Sequence, residues 1–86
     1  MVKKEVTVVN KTGLHARPAS MLTQMCKKYP ETIRLVKDGK ETDPKSIVAL
    51  LAAGIKSGSV IEVQVTGDNE EQVCTEIVDF ISTLTD

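Results

Sequence analysis

Apolar residues alternate with polar ones at the start of the chain. Val2, Val6 and Val8 fall on one side of an extended segment and Lys3, Glu5 and Thr7 on the other, which predicts a first strand ending at Asn10. From Ala16 the period lengthens. Ala19, Leu22, Met25, Cys26 and Tyr29 share one broad helical face until Pro30 forbids continuation. Thr32 to Lys37, Asp38-Gly39 and Lys40 to Thr42 read as strand, two-residue turn and short return strand, because Asp-Gly suits the left-handed residues of a tight hairpin. A short apolar helix over Ile47 to Ala53 follows, with Ser46 as its N-cap and Gly54 as its terminator.

Val60 to Thr66 alternates again and predicts a fourth strand with one face in the core. Asp68 followed by Glu71 resembles a capping box, and Val73, Ile77, Phe80, Ile81 and Leu84 then recur at helical spacing to the end of the chain. The order βαββαβα predicts an α+β fold with helices on one face of one sheet. At 86 residues, a single domain spanning 1–86 is expected.

Composition narrows the functional classes. Tyr29 and Phe80 are the only aromatic residues, and the net charge is −1 with acids and bases interleaved. Such a chain lacks the basic footprint and stacking platforms of a nucleic-acid binder. No apolar run reaches membrane-spanning length and the N-terminus lacks a signal-peptide layout, so a cytoplasmic protein without membrane insertion is expected. Cys26 and Cys74 fall within helical apolar patterns and are expected to be reduced, buried thiols. One histidine, two distant cysteines and no carboxylates clustered around His15 make no ordinary zinc site, and no phosphate-binding Gly-x-x-x-x-Gly-Lys loop is present. No metal or other cofactor is expected.

The chemistry concentrates in Thr12-Gly13-Leu14-His15-Ala16-Arg17-Pro18-Ala19-Ser20. Gly13 permits a sharp strand-to-helix turn, and Pro18 suits a first helical turn. His15 is thereby placed at a helix N-terminus, where the backbone amides of Ala16 and Arg17 and the helix dipole welcome an anion. The Arg17 guanidinium adds a planar fork of donors suited to phosphate. Neutral imidazole is a competent nucleophile, so a transient phosphohistidine at His15 is expected. A dyad of Ser20 and His15 would lack an acid to orient the ring.

The stretch Gly13-Leu14-His15-Ala16-Arg17-Pro18-Ala19, with Lys45-Ser46-Ile47 and Gly54, closely resembles HPr, the histidine-containing phosphocarrier of the bacterial phosphoenolpyruvate-dependent sugar phosphotransferase system. The likeness implies an open-faced β-sandwich, four antiparallel strands covered on one face by three helices. It also implies that His15 takes phosphate on Nδ1 from enzyme I and yields it to sugar-specific A components, with Arg17 holding the group. Such a protein is a monomeric carrier with no turnover of its own. Phosphorylation of Ser46 by an ATP-dependent kinase, reversed by a phosphatase, would slow that acceptance and create a corepressor for a catabolite-control transcription regulator. Ser46 also serves as an ordinary helix cap, worth about 1 kcal/mol. Ser20, Gln24, Ile47, Val48 and Leu51 match the family's docking patch, although Ile47, Val48 and Leu51 also suit core packing at i, i+1 and i+4. Val48 departs from the Met often found there, and Ala49 and Ser20 are also atypical. The alternative reading is a regulatory homologue acting mainly through phosphorylated Ser46. Retention of His15 favours the carrier, since purely regulatory homologues can replace that histidine.

Overall fold

In the computed structural model, which describes residues 1–85, inward-facing aliphatic rows order the strands. The chain runs β1 (Val2–Thr7), α1 (Ala16–Lys27), β2 (Thr32–Lys37), β3 (Lys40–Thr42), α2 (Ile47–Ala52), β4 (Val60–Thr66) and α3 (Glu70–Ser82). The strands form one sheet in the order β1-β4-β2-β3, with every neighbouring pair antiparallel. Val63 faces Lys4 across one ladder and Leu35 across the other. This register sends Val6, Ile33, Leu35, Ile61, Val63 and Val65 to the core together, while Lys3, Glu5 and Thr7 stay in solvent.

Lys4 lies on the inward row of an edge strand. Its amine escapes the core by reaching Thr75 Oγ1 at 2.8 Å and Glu71 Oε1 at 3.1 Å, so its stem packs while its charge stays near water. The α-amino group of Met1 pairs with Glu70 at 2.8 Å, a second tie from β1 to α3.

Helix α3 covers β1 and β4 with Val73, Cys74, Ile77 and Ile81, and α1 packs against α2 and α3 with Ala19, Leu22 and Cys26 buried. The opposite face of the sheet carries no helix, giving the expected α+β open-faced sandwich. The hairpin turn also matches expectation: Asp38 (φ +52°) and Gly39 (φ +80°) are both left-handed, the geometry that two-residue hairpins require. No helix among the described residues is long and apolar enough to cross a membrane.

Four local expectations need correction. Strand β1 ends at Thr7, not Asn10. Val8 is nevertheless buried and exchanges hydrogen bonds with Ser59 O and Gly58 N, so the apolar pattern outlasts the regular ladder. Helix α1 ends at Lys27, and the amides of Lys28 and Tyr29 bond to the carbonyls of Met25 and Cys26. Pro30 accounts for this early exit, because the residue before a proline is driven from helical geometry. Asp68 and Glu71 form no capping box. The N-cap is Asn69, whose side chain makes no cap bond; instead Glu31, reaching from another part of the chain, accepts from the Asn69 amide at 3.2 Å. At the other end, α3 stops at Ser82, where Thr83 Oγ1 donates to Asp79 O at 2.8 Å, so the helix does not run on through residues 83–85 as expected; Asp86 lies outside the described residues.

Cys26 and Cys74 are free and buried. Burial pushes the Cys26 thiol up to about 12 and raises that of Cys74, whose Sγ donates to Val63 O. Both are inert packing groups.

Candidate functional site

The approach to α1 is fixed by main-chain contacts. Gly13 has φ +65°, and a Cβ there would lie 2.6 Å from Ile55 O and 2.8 Å from both Lys56 C and Lys56 Cα. Only glycine satisfies both the conformation and the contact. The Leu14 amide donates to Ile55 O at 2.9 Å, the Asn10 side-chain amide donates to Gly13 O at 2.7 Å, and the Leu14 side chain is buried. The next residue, His15, is left as an exposed N-cap in extended backbone geometry (φ −82°, ψ −172°).

The first turn of α1 is open to an incoming group. His15 O accepts the first helical bond, from Ala19 N at 2.8 Å, but its side chain makes no cap bond. The amides of Ala16 and Arg17 have no intrahelical carbonyl to meet, and Pro18, at the third position, has no amide hydrogen. No acidic residue occupies the turn. Two main-chain donors and the positive end of the helix dipole thus meet at the exposed His15, with the exposed Arg17 two residues on, an arrangement suited to a phosphoryl group.

Beside these groups lies a cavity of about 570 Å³ lined by His15, Arg17, Pro18 and Met21 and, across it, by Phe80 and Leu84. The far wall was invisible to sequence reasoning. Phe80 and Leu84 followed the helical period as core residues, and no local signal links the end of α3 to the start of α1. His15, Ala16 and Arg17 follow one another at the start of α1, and His15 and Arg17 both line this cavity.

Ser46 occupies a different kind of helix start. Its Oγ accepts from Ala49 N at 3.2 Å and its carbonyl accepts from Leu50 N at 3.0 Å. The preceding turn is tied by Asp43 Oδ1, which accepts from Lys45 N at 2.9 Å, and Lys45 Nζ donates to the carbonyls of Tyr29 and Glu31 at 2.7 and 2.8 Å. Ser46 is half-buried and caps a helix whose only fully buried side chain is Leu50.

The expected docking residues divide. Val48 and Leu51 are 75% and 44% exposed. Ile47 is half-buried and packs against the core, so the packing role applies to it. Ser20 is half-buried and Gln24 exposed. Met21, 48% exposed and lining the His15 cavity, is an apolar surface residue that the sequence reading passed over. Its signal was its absence from the buried stripe of α1.

A family model described as "PTS HPr component phosphorylation site" matches residues 2–83. The HPr-like protein Crh of Halalkalibacterium halodurans is 40% identical over 81 residues, covering 94% of this chain and 96% of that one. Phosphocarrier protein HPr of Cupriavidus necator is 33% identical over 84 residues, covering 95% and 92%. The crystal structure of HPr-C-His from Thermoanaerobacter tengcongensis superposes with a TM-score of 0.92 at 36% identity, covering 96% of this chain and 93% of that one. Fold, matched span and likeness along nearly the whole chain agree, and the chain belongs to the HPr family of phosphocarrier proteins of the phosphotransferase system.

Proposed function

We propose that His15 accepts a phosphoryl group from enzyme I and passes it to sugar-specific A components during phosphoenolpyruvate-dependent sugar uptake. The imidazole Nδ1 attacks phosphorus in line, forming the N–P bond as the bond to the donor breaks. The amides of Ala16 and Arg17 and the Arg17 guanidinium take up the charge on the phosphoryl oxygens. Being exposed, they hold the group without sequestering it, which suits a protein that must hand it on. In this reading the protein is a cytoplasmic monomer with no cofactor and no turnover of its own, and Ser20, Met21, Gln24, Val48 and Leu51 meet its partners.

The observation that carries this reading is the uncapped helix start, with an exposed imidazole beside two amides that the helix leaves without partners. Incubation with enzyme I and labelled phosphoenolpyruvate tests it. Acid-labile label is expected on the intact protein and none on His15→Ala; an unlabelled intact protein would overturn the reading.

A second reading is supported by the 40% identity to an HPr-like protein Crh: regulation through phosphorylation of Ser46 by an ATP-dependent kinase, acting on a catabolite-control regulator. A phosphate would add about −1.5 to −2 charges at the start of α2. Acid-stable label from kinase and ATP that Ser46→Ala removes is its expected sign. Such label together with no acceptance from enzyme I would make it the principal role.

A further inference from the structure

We infer that Gly13 and Ile55 are positioning residues for His15, orienting the imidazole from behind through their main-chain contacts; the inference rests on His15 being the phosphoacceptor. Among the described residues, no cap hydrogen bond holds the ring on the open side of the turn. The His15 side chain makes no cap bond, and it is exposed to solvent. The two residues before it are instead locked. Gly13 sits against the main chain of Ile55 and Lys56 with no room for a methyl group, and the Leu14 amide donates to Ile55 O.

The 55–59 segment is itself held in place. The Ile55 side chain is buried, Lys56 N donates to Ser59 Oγ, and Ser59 N donates to Lys56 O. The loop then closes on β1's extension, with Gly58 N donating to Val8 O at 2.7 Å and Val8 N to Ser59 O at 2.8 Å. A chain of contacts therefore runs from Val8 through Asn10, Gly13 and Leu14 to Ile55, Lys56 and Ser59, and back to Val8. His15 projects from its rim. Because a near-attack geometry is lost with small displacements, shifting this rim should slow transfer while leaving docking intact.

The test separates strain from position. Gly13→Ala and Gly39→Ala both place a methyl at a left-handed residue, but only Gly13 has neighbours there; nothing lies within 4 Å of the Cβ position at Gly39. With enzyme I as donor, Gly13→Ala is expected to lower kcat at least tenfold with little change in KM, and to abolish hydrogen-exchange protection of the Leu14 amide. Gly39→Ala should leave both readouts near those of the intact protein. Should Gly13→Ala fail to fold, Ile55→Ala keeps Gly13 and loosens its support. A fall in kcat and in Leu14 protection is then expected, absent in Val73→Ala, a buried truncation on α3. An unchanged kcat in the folded Gly13→Ala or Ile55→Ala protein, or an equal fall in Gly39→Ala, would overturn the inference. If enzyme I labels none of these proteins, the carrier reading falls on its own. The half-life of phosphohistidine prepared with phosphoramidate then decides: a changed half-life in Gly13→Ala, but not in Gly39→Ala, supports the positioning role, and equal half-lives refute it.

Discussion

Helices α1 and α2 begin in opposite ways. Ser46 closes α2 with its own side chain, whose Oγ takes the Ala49 amide. His15 starts α1 without a cap bond, and Pro18 removes the third amide, which a side-chain cap would ordinarily use. One start is finished internally and the other is left for a visitor. A six-residue helix with one buried leucine needs its cap, whereas the twelve-residue α1, with five buried side chains, holds together while its first turn stays open.

Exchanging these designs gives the largest expected effect. His15→Ser supplies a potential cap at α1, with only the Arg17 amide within its usual reach. Acid-labile phosphorylation should vanish, while urea denaturation shows stability unchanged or raised by up to about 1 kcal/mol. Loss of several kcal/mol would mean that the imidazole packs structurally. Next in size, Ser46→Ala should cost about 1 kcal/mol, lowering Tm by roughly 4–8 °C for a domain of this size, while acceptance at His15 continues. An unchanged Tm would show that α2 does not rely on its cap.

The buried end of α1 sharpens the contrast through pH. Burial holds the Cys26 thiol at about 12 against an ordinary 9.0. The folded state therefore binds this proton more tightly than the unfolded state. Its stabilising effect is complete below about pH 9 and is lost as pH rises toward about 12. Tyr29, raised from 10.0 to about 12 by burial and then by its hydrogen bond to Glu76, acts in the same direction. Cys26→Ala should flatten the decline of the urea midpoint between these pH values; an unaltered slope would remove Cys26 from that account.

The smallest effect lies on the acid side. Hydrogen bonds from Tyr29 and Gln72 hold the Glu76 carboxyl below its ordinary value of 4.5. Stability from this group is present above that value and fades as pH falls through the lowered one. Glu76→Gln should slightly reduce the acid-side slope and leave acceptance at His15 untouched.

What was legible in the sequence was local. Asp38-Gly39 marked the hairpin because few residues tolerate left-handed geometry, and Ser46 marked α2 because a hydroxyl before an apolar run readily caps a helix. His15, Arg17 and Pro18 declared an anion-friendly helix start through residue type and spacing. What escaped was carried by distant main chain. The amide before α3 is met by Glu31, not by a neighbour's side chain, and the carbonyl behind Leu14 belongs to Ile55. A carbonyl is common to every residue, so its identity leaves no mark in composition or period. Met21 and Val48 are likewise apolar by type, and only the packing of the helices tells which apolar side chains remain outside.

The wide separation between Leu14 and its partner carbonyl has a consequence for synthesis. The residues of the His15 turn emerge from the ribosome early, yet Ile55 and the strand that pairs with β1, Val60–Thr66, emerge much later. At about 5–20 residues per second, the histidine is exposed for seconds before the carbonyl that supports its turn exists. A nascent or truncated chain thus displays the whole Gly13–Ala19 motif without the geometry that gives it meaning. The turn around His15 can therefore be assembled only after Ile55 and Val60–Thr66 have been made, however early its own residues emerge.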